Sequence, residues 1–244
     1  MNMRSAFAAA TLLFLASEAG AQSLPSFSAE VTTDHRRRGL SWSDGQAAVE
    51  GTVSSRIGET FRLSAGAVTL RDSPRHGGAD AAVDLTIDHE RSFGPWRLNA
   101  TVAGHVFPGH GNLSYVELGA GAGVSVGPAQ IDLFGMYAPS QNAIGGDNLY
   151  LGASAAVALI GTPFTLTGSV GRSSGDTDDP WRSARLRPGG SYVDYRIGID
   201  HILGPLTVGV AYSGTTVDRD ALGSPYADFD DAGDKLIARA RLSF

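Results

Sequence analysis

Apolar and polar residues take turns along most of this chain. Trp96, Leu98, Ala100, Val102, Gly104 and Val106 fall on one side of an extended backbone, with Arg97, Asn99, Thr101, Ala103 and His105 on the other. Strand side chains alternate faces in this way. The same period sets Val116, Leu118, Ala120, Ala122, Val124 and Val126 against Tyr115, Glu117, Gly119, Gly121, Gly123 and Ser125. At the end of the chain, Ala238, Ala240, Leu242 and Phe244 oppose Ile237, Arg239, Arg241 and Ser243. No comparable window favours a 3.6-residue period. The pattern predicts about twelve strands, near 26–34, 47–57, 60–70, 80–91, 96–107, 114–126, 129–138, 148–160, 164–172, 192–203, 206–216 and 235–244.

The segments between strands are of two kinds. Five are tight turns, "RIGETF", "FGPW", "VGPAQI", "IGTPF" and "LGPLTV", whose glycines are Gly58, Gly94, Gly127, Gly161 and Gly204. Gly supplies positive φ in such turns. The others are long and polar, from "DHRRRGLSWSDGQ" to "TTVDRDALGSPYADFDDAGDK". An even strand count with short turns on one rim and long loops on the other predicts an all-β fold, an antiparallel transmembrane β-barrel of about twelve strands. In lipid every backbone N–H and C=O needs a partner, so the sheet must close. Alternation alone would also suit a soluble sandwich with its polar face outward. The loop asymmetry and the aromatic residues favour the membrane. Phe27, Phe61, Trp96, Phe164 and Phe244 sit on the apolar face at the short-turn rim, and Tyr137, Tyr195 and Tyr212 near the long-loop rim. Such girdles mark membrane–water boundaries.

The first residues, "MNMRSAFAAATLLFLASEAGAQS", have one early charge, an apolar run and Ala19-Gly20-Ala21. They read as a cleaved secretory signal over 1–21, with a single barrel domain over 22–244. The expected site is the cell outer membrane, reached by export through the periplasm. Phe244 then ends the closing strand and is expected to act as an assembly signal, read by the barrel-assembly machinery. With a net charge of −6 the chain offers no broad basic surface for nucleic acid, and with no cysteine it makes neither disulfides nor thiolate metal sites.

The polar face carries the candidate chemistry. By register Glu30, Glu50, Asp80, Asp84, Asp88, Glu117, Asp132, Asp194 and Asp200 point inward with Arg56, Arg62, Arg97, Arg196, Arg239 and Arg241. These would line a narrow water-filled pathway for small hydrophilic solutes. Alternatively they pair across the interior and plug it. The acidic excess suggests a weak preference for cations. Gly119, Gly121 and Gly123 face Phe134 and Met136, a pairing that reads as rings covering glycines in a curved sheet.

The histidines form no preformed catalytic pair: His89 and His201 each follow an aspartate that points to the opposite face. The chain is therefore not expected to be an enzyme, and no cofactor or metal is implied. The acids of the last loop, Asp218, Asp220, Asp228, Asp230, Asp231 and Asp234, lack EF-hand spacing and read as a solvated loop. "DHRRRG" and "HGNLS" read as exposed, the former able to meet lipopolysaccharide phosphates. A passive porin is the leading reading. A non-conducting barrel with an adhesive or structural role comes next, and an outer-membrane hydrolase is weaker still.

"FSAEVTTDHRRRGLSWSDGQAAVEG" resembles the start of the TorF family of porin-like, Gcw_chp-type outer-membrane barrels. Its Arg-Gly-x-Ser-x-Ser-Asp segment corresponds to Arg38, Gly39, Ser41, Ser43 and Asp44, followed by Ala48 and Gly51. The Tyr-Pro-Gly stretch leading to a Glu is similar to Pro108, Gly109 and Glu117, and "VGVAYSGTTVD" is similar to the penultimate strand. Arg36 and Arg37 stand where aromatic residues commonly precede the Arg-Gly. The resemblance implies an outer-membrane porin-like barrel in contact with lipid and lipopolysaccharide, with no established substrate.

Overall fold

The structure is a computed structural model that describes residues 24–219 and 223–244. The expected signal segment 1–21 and Asp220 lie outside the described residues. Twelve antiparallel strands close into a barrel: β1 (Ser26–Thr32), β4 (Ala48–Ile57), β5 (Phe61–Ser73), β6 (Ala79–Phe93), β7 (Trp96–Val106), β8 (Tyr115–Val126), β9 (Ala129–Gln141), β10 (Gly146–Ala158), β11 (Phe164–Ser174), β12 (Tyr192–Leu203), β13 (Leu206–Thr215) and β14 (Lys235–Ser243). Two further short strands, β2 (Arg36–Arg37) and β3 (Leu40–Ser41), form a separate hairpin. Closure is made by β1 against β14, with Glu30 opposite Arg241. The Phe27 and Phe244 backbones complete it, each donating its N–H to the other's carbonyl at 3.0 and 2.8 Å.

The outer face is apolar. Leu85, Ile87, Leu98, Val102, Leu118, Leu133, Leu151, Leu166, Ile197 and Val210 are all exposed on it. A closed sheet that shows this much aliphatic surface is stable only against hydrocarbon. Phe27, Phe61, Trp96, Phe164 and Phe244 are exposed at the short-turn end. His201 stacks there on Phe164 and His89 packs at a tilt against Phe61, with ring centroids 4.7 Å apart in each pair. All five turn glycines have positive φ, between 58° and 78°.

A strand spacing near 4.8 Å and a tilt near 40° give twelve strands a backbone radius of about 12 Å, against about 8 Å for eight. Eight strands fill their interior with side chains alone. Twelve leave a wider cross-section, and its two halves are treated differently here. Towards the long-loop end the interior is packed by folded-in chain. Towards the short-turn end it is a chamber.

The fold departs from expectation in two places. The β5–β6 register shifts between the pairs Thr69–Ala81 and Ser73–Ala79. At this bulge Arg71 and Asp72 have φ of 59° and 58°. The alternation changes phase, so Ala79 and Ala82 are both buried and Asp80 is exposed, not inward. A bulge re-aims side chains in this way. The glycine stripe on β8 is covered differently from the expected pairing. Met136 lies over Gly119, but Asn99 occupies the space beside Gly121 and Asp132 that beside Gly123. The Phe134 ring instead covers Gly152 on β10.

Candidate functional site

The first long loop, 33–47, turns back into the barrel as the β2–β3 hairpin and carries three consecutive arginines inside. Each is held. Arg36 donates from Nε to Asp34 Oδ2 at 2.7 Å and from its η nitrogens to the carbonyls of Gly39, Gly233 and Asp231 at 3.0, 2.5 and 3.0 Å. Arg37 pairs with Asp84 on β6, and its guanidinium lies 4.2 Å over the Trp42 ring. Arg38 Nη2 donates to both oxygens of Glu117 on β8, at 2.9 and 2.7 Å, and its guanidinium lies 4.7 Å over Tyr150. His105 completes the row, with Nδ1 2.6 Å from Asp84 Oδ1 and Nε2 3.3 Å from Glu117 Oε2.

The expectation of an exposed basic loop at "DHRRRG" is therefore corrected. The Arg36 side chain is 2% exposed and that of Arg38 17%. The physical reason is charge matching. On the wall, the upper acids Asp84 and Glu117 have their guanidinium partners on the hairpin. Burying an unpaired carboxylate is costly, so a chain segment that brings arginines is drawn in.

The tip that positions Arg38 depends on the Arg38-Gly39 step and the two serines that follow it. Arg38 and Gly39 have φ of 52° and 75°. A Cβ on Gly39 would lie 2.5 Å from Thr215 Cγ2 and 2.7 Å from Asp194 Cβ, so the backbone reaches the wall only as glycine. Ser41 Oγ donates to Asp34 Oδ1 at 2.6 Å and Ser43 Oγ to the Gln46 carbonyl at 2.7 Å. These motif serines thus brace the returning limb of the hairpin.

Over the hairpin the other long loops form a packed dome. Trp42, Phe107, Leu113, Ile144 and Leu186 are buried in one cluster with Val68 and Leu70 of the wall. Leu113 anchors "HGNLS" in this cluster, while Gly111 and Asn112 of that stretch are exposed as expected. Two fully buried arginines bind the loops together through backbone carbonyls. Arg75 donates to Ser41 O, Arg185 O and Asp228 O at 3.0, 3.1 and 2.9 Å. Arg185 donates to Arg75 O, Leu113 O and Ala143 O at 3.3, 2.9 and 2.6 Å. Asp228, expected to be solvated, has a side chain 5% exposed and lies 3.7 Å from Arg75. Asp44, Asp228 and Asp231 converge, but Lys235 Nζ already stands between Asp231 Oδ1 at 3.4 Å and the Gly45 carbonyl at 3.0 Å. One of the three carboxylates, Asp231, thus already has an ammonium partner.

Where hairpin, wall and dome meet, a cavity of about 40 Å³ is lined by Arg37, Arg38, Leu40, Trp42, His105, Tyr115, Leu186 and Tyr192. That is room for about one water. Below it lies a chamber of about 590 Å³ at the short-turn end, lined by Arg56, Arg62, Asp88, Glu90, Arg97, Asn99, Asp132 and Phe134, among others. Its Arg97 bridges Asp132 at 2.5 Å and Glu90 at 3.7 Å. Across the lumen Arg239 pairs with Asp200 at 2.7 Å, and Arg241 with Glu30 at 2.9 Å.

The sequence-derived wall residues separate into these two levels. Glu50, Asp84, Glu117 and Asp194 stand by the hairpin. Glu30, Arg56, Arg62, Arg97, Asp132, Arg239 and Arg241 lie below it, with Arg196 between. His35 Nδ1 lies 3.6 Å from Glu50, and Tyr150 donates to Asp194 at 3.2 Å. Loop burial shifts two histidines. Burial, aided by the Arg37 guanidinium, lowers His35 to about 4. Burial, then Arg185 and Arg75, hold His76 well below the ordinary histidine value.

The fold, with its apolar outer face and polar lumen, is that of an outer-membrane-type β-barrel. The chain belongs to the family described as "Bacterial protein of unknown function (Gcw_chp)", which it matches over residues 18–242. No curated protein matches it. Among solved structures it is similar to the NanC porin, at 10% identity and a TM-score of 0.59, covering 89% of this chain and 98% of that one. It is also similar to the COG4313 outer membrane channel from Pseudomonas putida F1, at 12% identity and a TM-score of 0.51, covering 94% and 100%. At these identities the likeness is one of fold.

Proposed function

We propose that the protein is an outer-membrane porin that passes small hydrophilic solutes by passive diffusion, with the β2–β3 hairpin as its constriction. One observation carries this reading. The outer half of the lumen is closed by a loop held through ion pairs, while the inner half is a charged chamber of about 590 Å³. A barrel built only as a plug would be filled by its own wall. In this reading long loops face the cell exterior and short turns the periplasm, as in bacterial barrels generally. Lipid and lipopolysaccharide surround the apolar band, and the barrel-assembly machinery takes the chain by its terminal strand and Phe244. The resemblance of the first loop to the TorF family is consistent with this reading.

Charge balance refines the expected selectivity. The wall contributes nine acids (Glu30, Glu50, Asp84, Asp88, Glu90, Glu117, Asp132, Asp194, Asp200) against six arginines, an excess of three. The hairpin adds Arg36, Arg37 and Arg38 with Asp34, leaving an excess of one. Any cation preference is accordingly slight. Catalysis is not favoured, because both nitrogens of the best-placed histidine, His105, are taken by carboxylates.

The packed dome supports a second reading, a non-conducting barrel with a structural or adhesive role. Flux decides between the two. Vesicles containing the protein should admit glycerol and small sugars faster than protein-free vesicles, and equal rates would reject the porin.

A further inference from the structure

Four inward residues stand in one row across adjacent strands of the chamber wall. Arg56 of β4 is directly opposite Arg62 of β5, Arg62 opposite Asp88 of β6, and Asp88 opposite Thr101 of β7. Neighbouring strands are about 4.8 Å apart. Two like charges placed directly opposite each other destabilise a sheet. Nothing relieves this pair: among the described residues neither Arg56 nor Arg62 has a hydrogen-bond or ion-pair partner. Asp88 is the natural partner for Arg62, yet it is held the other way. Thr101 Oγ1 donates to Asp88 Oδ1 at 2.6 Å. The row thus keeps two guanidinium groups and a carboxylate side by side and unjoined, facing the chamber of about 590 Å³.

We propose that this row binds the head group of an α-amino acid, its carboxylate on Arg56 and Arg62 and its ammonium on Asp88. Guanidinium forks match carboxylate geometry. The two charges of an α-amino acid hang from a single carbon, so they suit positive and negative groups on neighbouring strands. A plain anion would meet the uncompensated Asp88, and Glu59 also lines the chamber. A plain cation would meet the arginine pair. The amino-acid side chain would extend into the chamber, towards Phe134. The proposal rests on the reading of the barrel as a solute channel, and it names the class of solute.

The test is binding, which does not require conduction. Saturation-transfer NMR on the detergent-solubilised protein would compare L-serine with glycerate, ethanolamine and glycerol, which share its size but not its pair of charges. L-serine should bind saturably and at least fivefold more tightly than the other three. Arg62→Gln should weaken L-serine at least fivefold. Asp88→Asn should weaken L-serine yet strengthen glycerate, a reversal that a merely structural defect would not produce. No saturable L-serine binding, or equal binding of all four compounds, overturns the proposal even if glycerol enters vesicles. Binding as expected with no glycerol flux would retain the site and reject the porin.

Discussion

If the hairpin is held by charge matching, removing one member of the Arg38–Glu117 pair should unseat it and removing both should restore it. The Glu117 side chain is 3% exposed and that of Arg38 17%. Deleting one partner of a buried pair costs about 3–5 kcal/mol, because the other charge stays buried alone. Here the lower end applies to Arg38→Met, since His105 Nε2, 3.3 Å from Glu117, retains part of the compensation. We expect about 3 kcal/mol for Arg38→Met. For Glu117→Met we expect about 2 kcal/mol, because the more exposed guanidinium can turn towards water. Replacing a buried pair by apolar residues is often neutral, so the double variant should lie within about 1 kcal/mol of the parent rather than near the additive 5 kcal/mol. The protein has three tryptophans, and Trp42 is buried against the hairpin and the dome. In a Trp96→Phe/Trp181→Phe background, urea titration of Trp42 emission in detergent gives the stability of the seated loops from the midpoint and slope. Single variants indistinguishable from the parent, or a double variant as unstable as the sum, would refute the charge-matching account.

The remaining predictions use the same reporter or the assembled barrel. Gly39→Ala should lower dome stability by about 2–4 kcal/mol, from positive-φ strain and from the close approach to Thr215 and Asp194; an unchanged urea midpoint would contradict the contact. His35 and His76 stay neutral in the folded dome, whereas the unfolded loops take up protons near pH 6.5. Their contribution is therefore full above about pH 6.5 and is lost as pH falls, for His35 until about pH 4. The urea midpoint should drop over that window, and less steeply in His76→Phe; the groups facing these rings, Arg37, Glu50 and Arg185, are unchanged in that variant. Val102→Arg, on the exposed apolar face midway along β7, should cost about 2–4 kcal/mol of barrel stability. Folding titrations into lipid vesicles would measure it, and no loss would argue against lipid contact. Phe244→Ala should reduce the yield of heat-modifiable barrel in the envelope while the purified chain still folds in detergent; a normal yield would remove Phe244 as the signal.

The barrel was legible because its signals are local. Period-two alternation and positive-φ turn glycines set all twelve strands to within three residues of their observed ends. The extra length lies mainly at the long-loop end of β5, β9, β10 and β11, where the wall rises around the dome. The inward face was legible for the same reason, and Asp80 escaped only because a bulge changes the phase. The hairpin and dome were not, because their contacts join residues far apart in sequence. Arg38 meets Glu117, and Arg185 meets the carbonyls of Leu113 and Ala143. One signal was present in the sequence. A wall whose acids outnumber its arginines needs cations, and three lie together in the first loop beside Trp42. Buried arginines satisfied by backbone carbonyls, such as Arg75, leave no sequence pattern at all.

The most direct measurement is single-channel recording in planar bilayers on a variant whose residues 35–46 are replaced by a short Gly-Ser turn. The parent should show small, brief openings with slight ion preference. The shortened variant should stay open with a larger unitary conductance, because the chamber then communicates with the outer mouth. Silence from both proteins, or an unchanged conductance in the shortened one, would contradict the hairpin as the constriction of a porin.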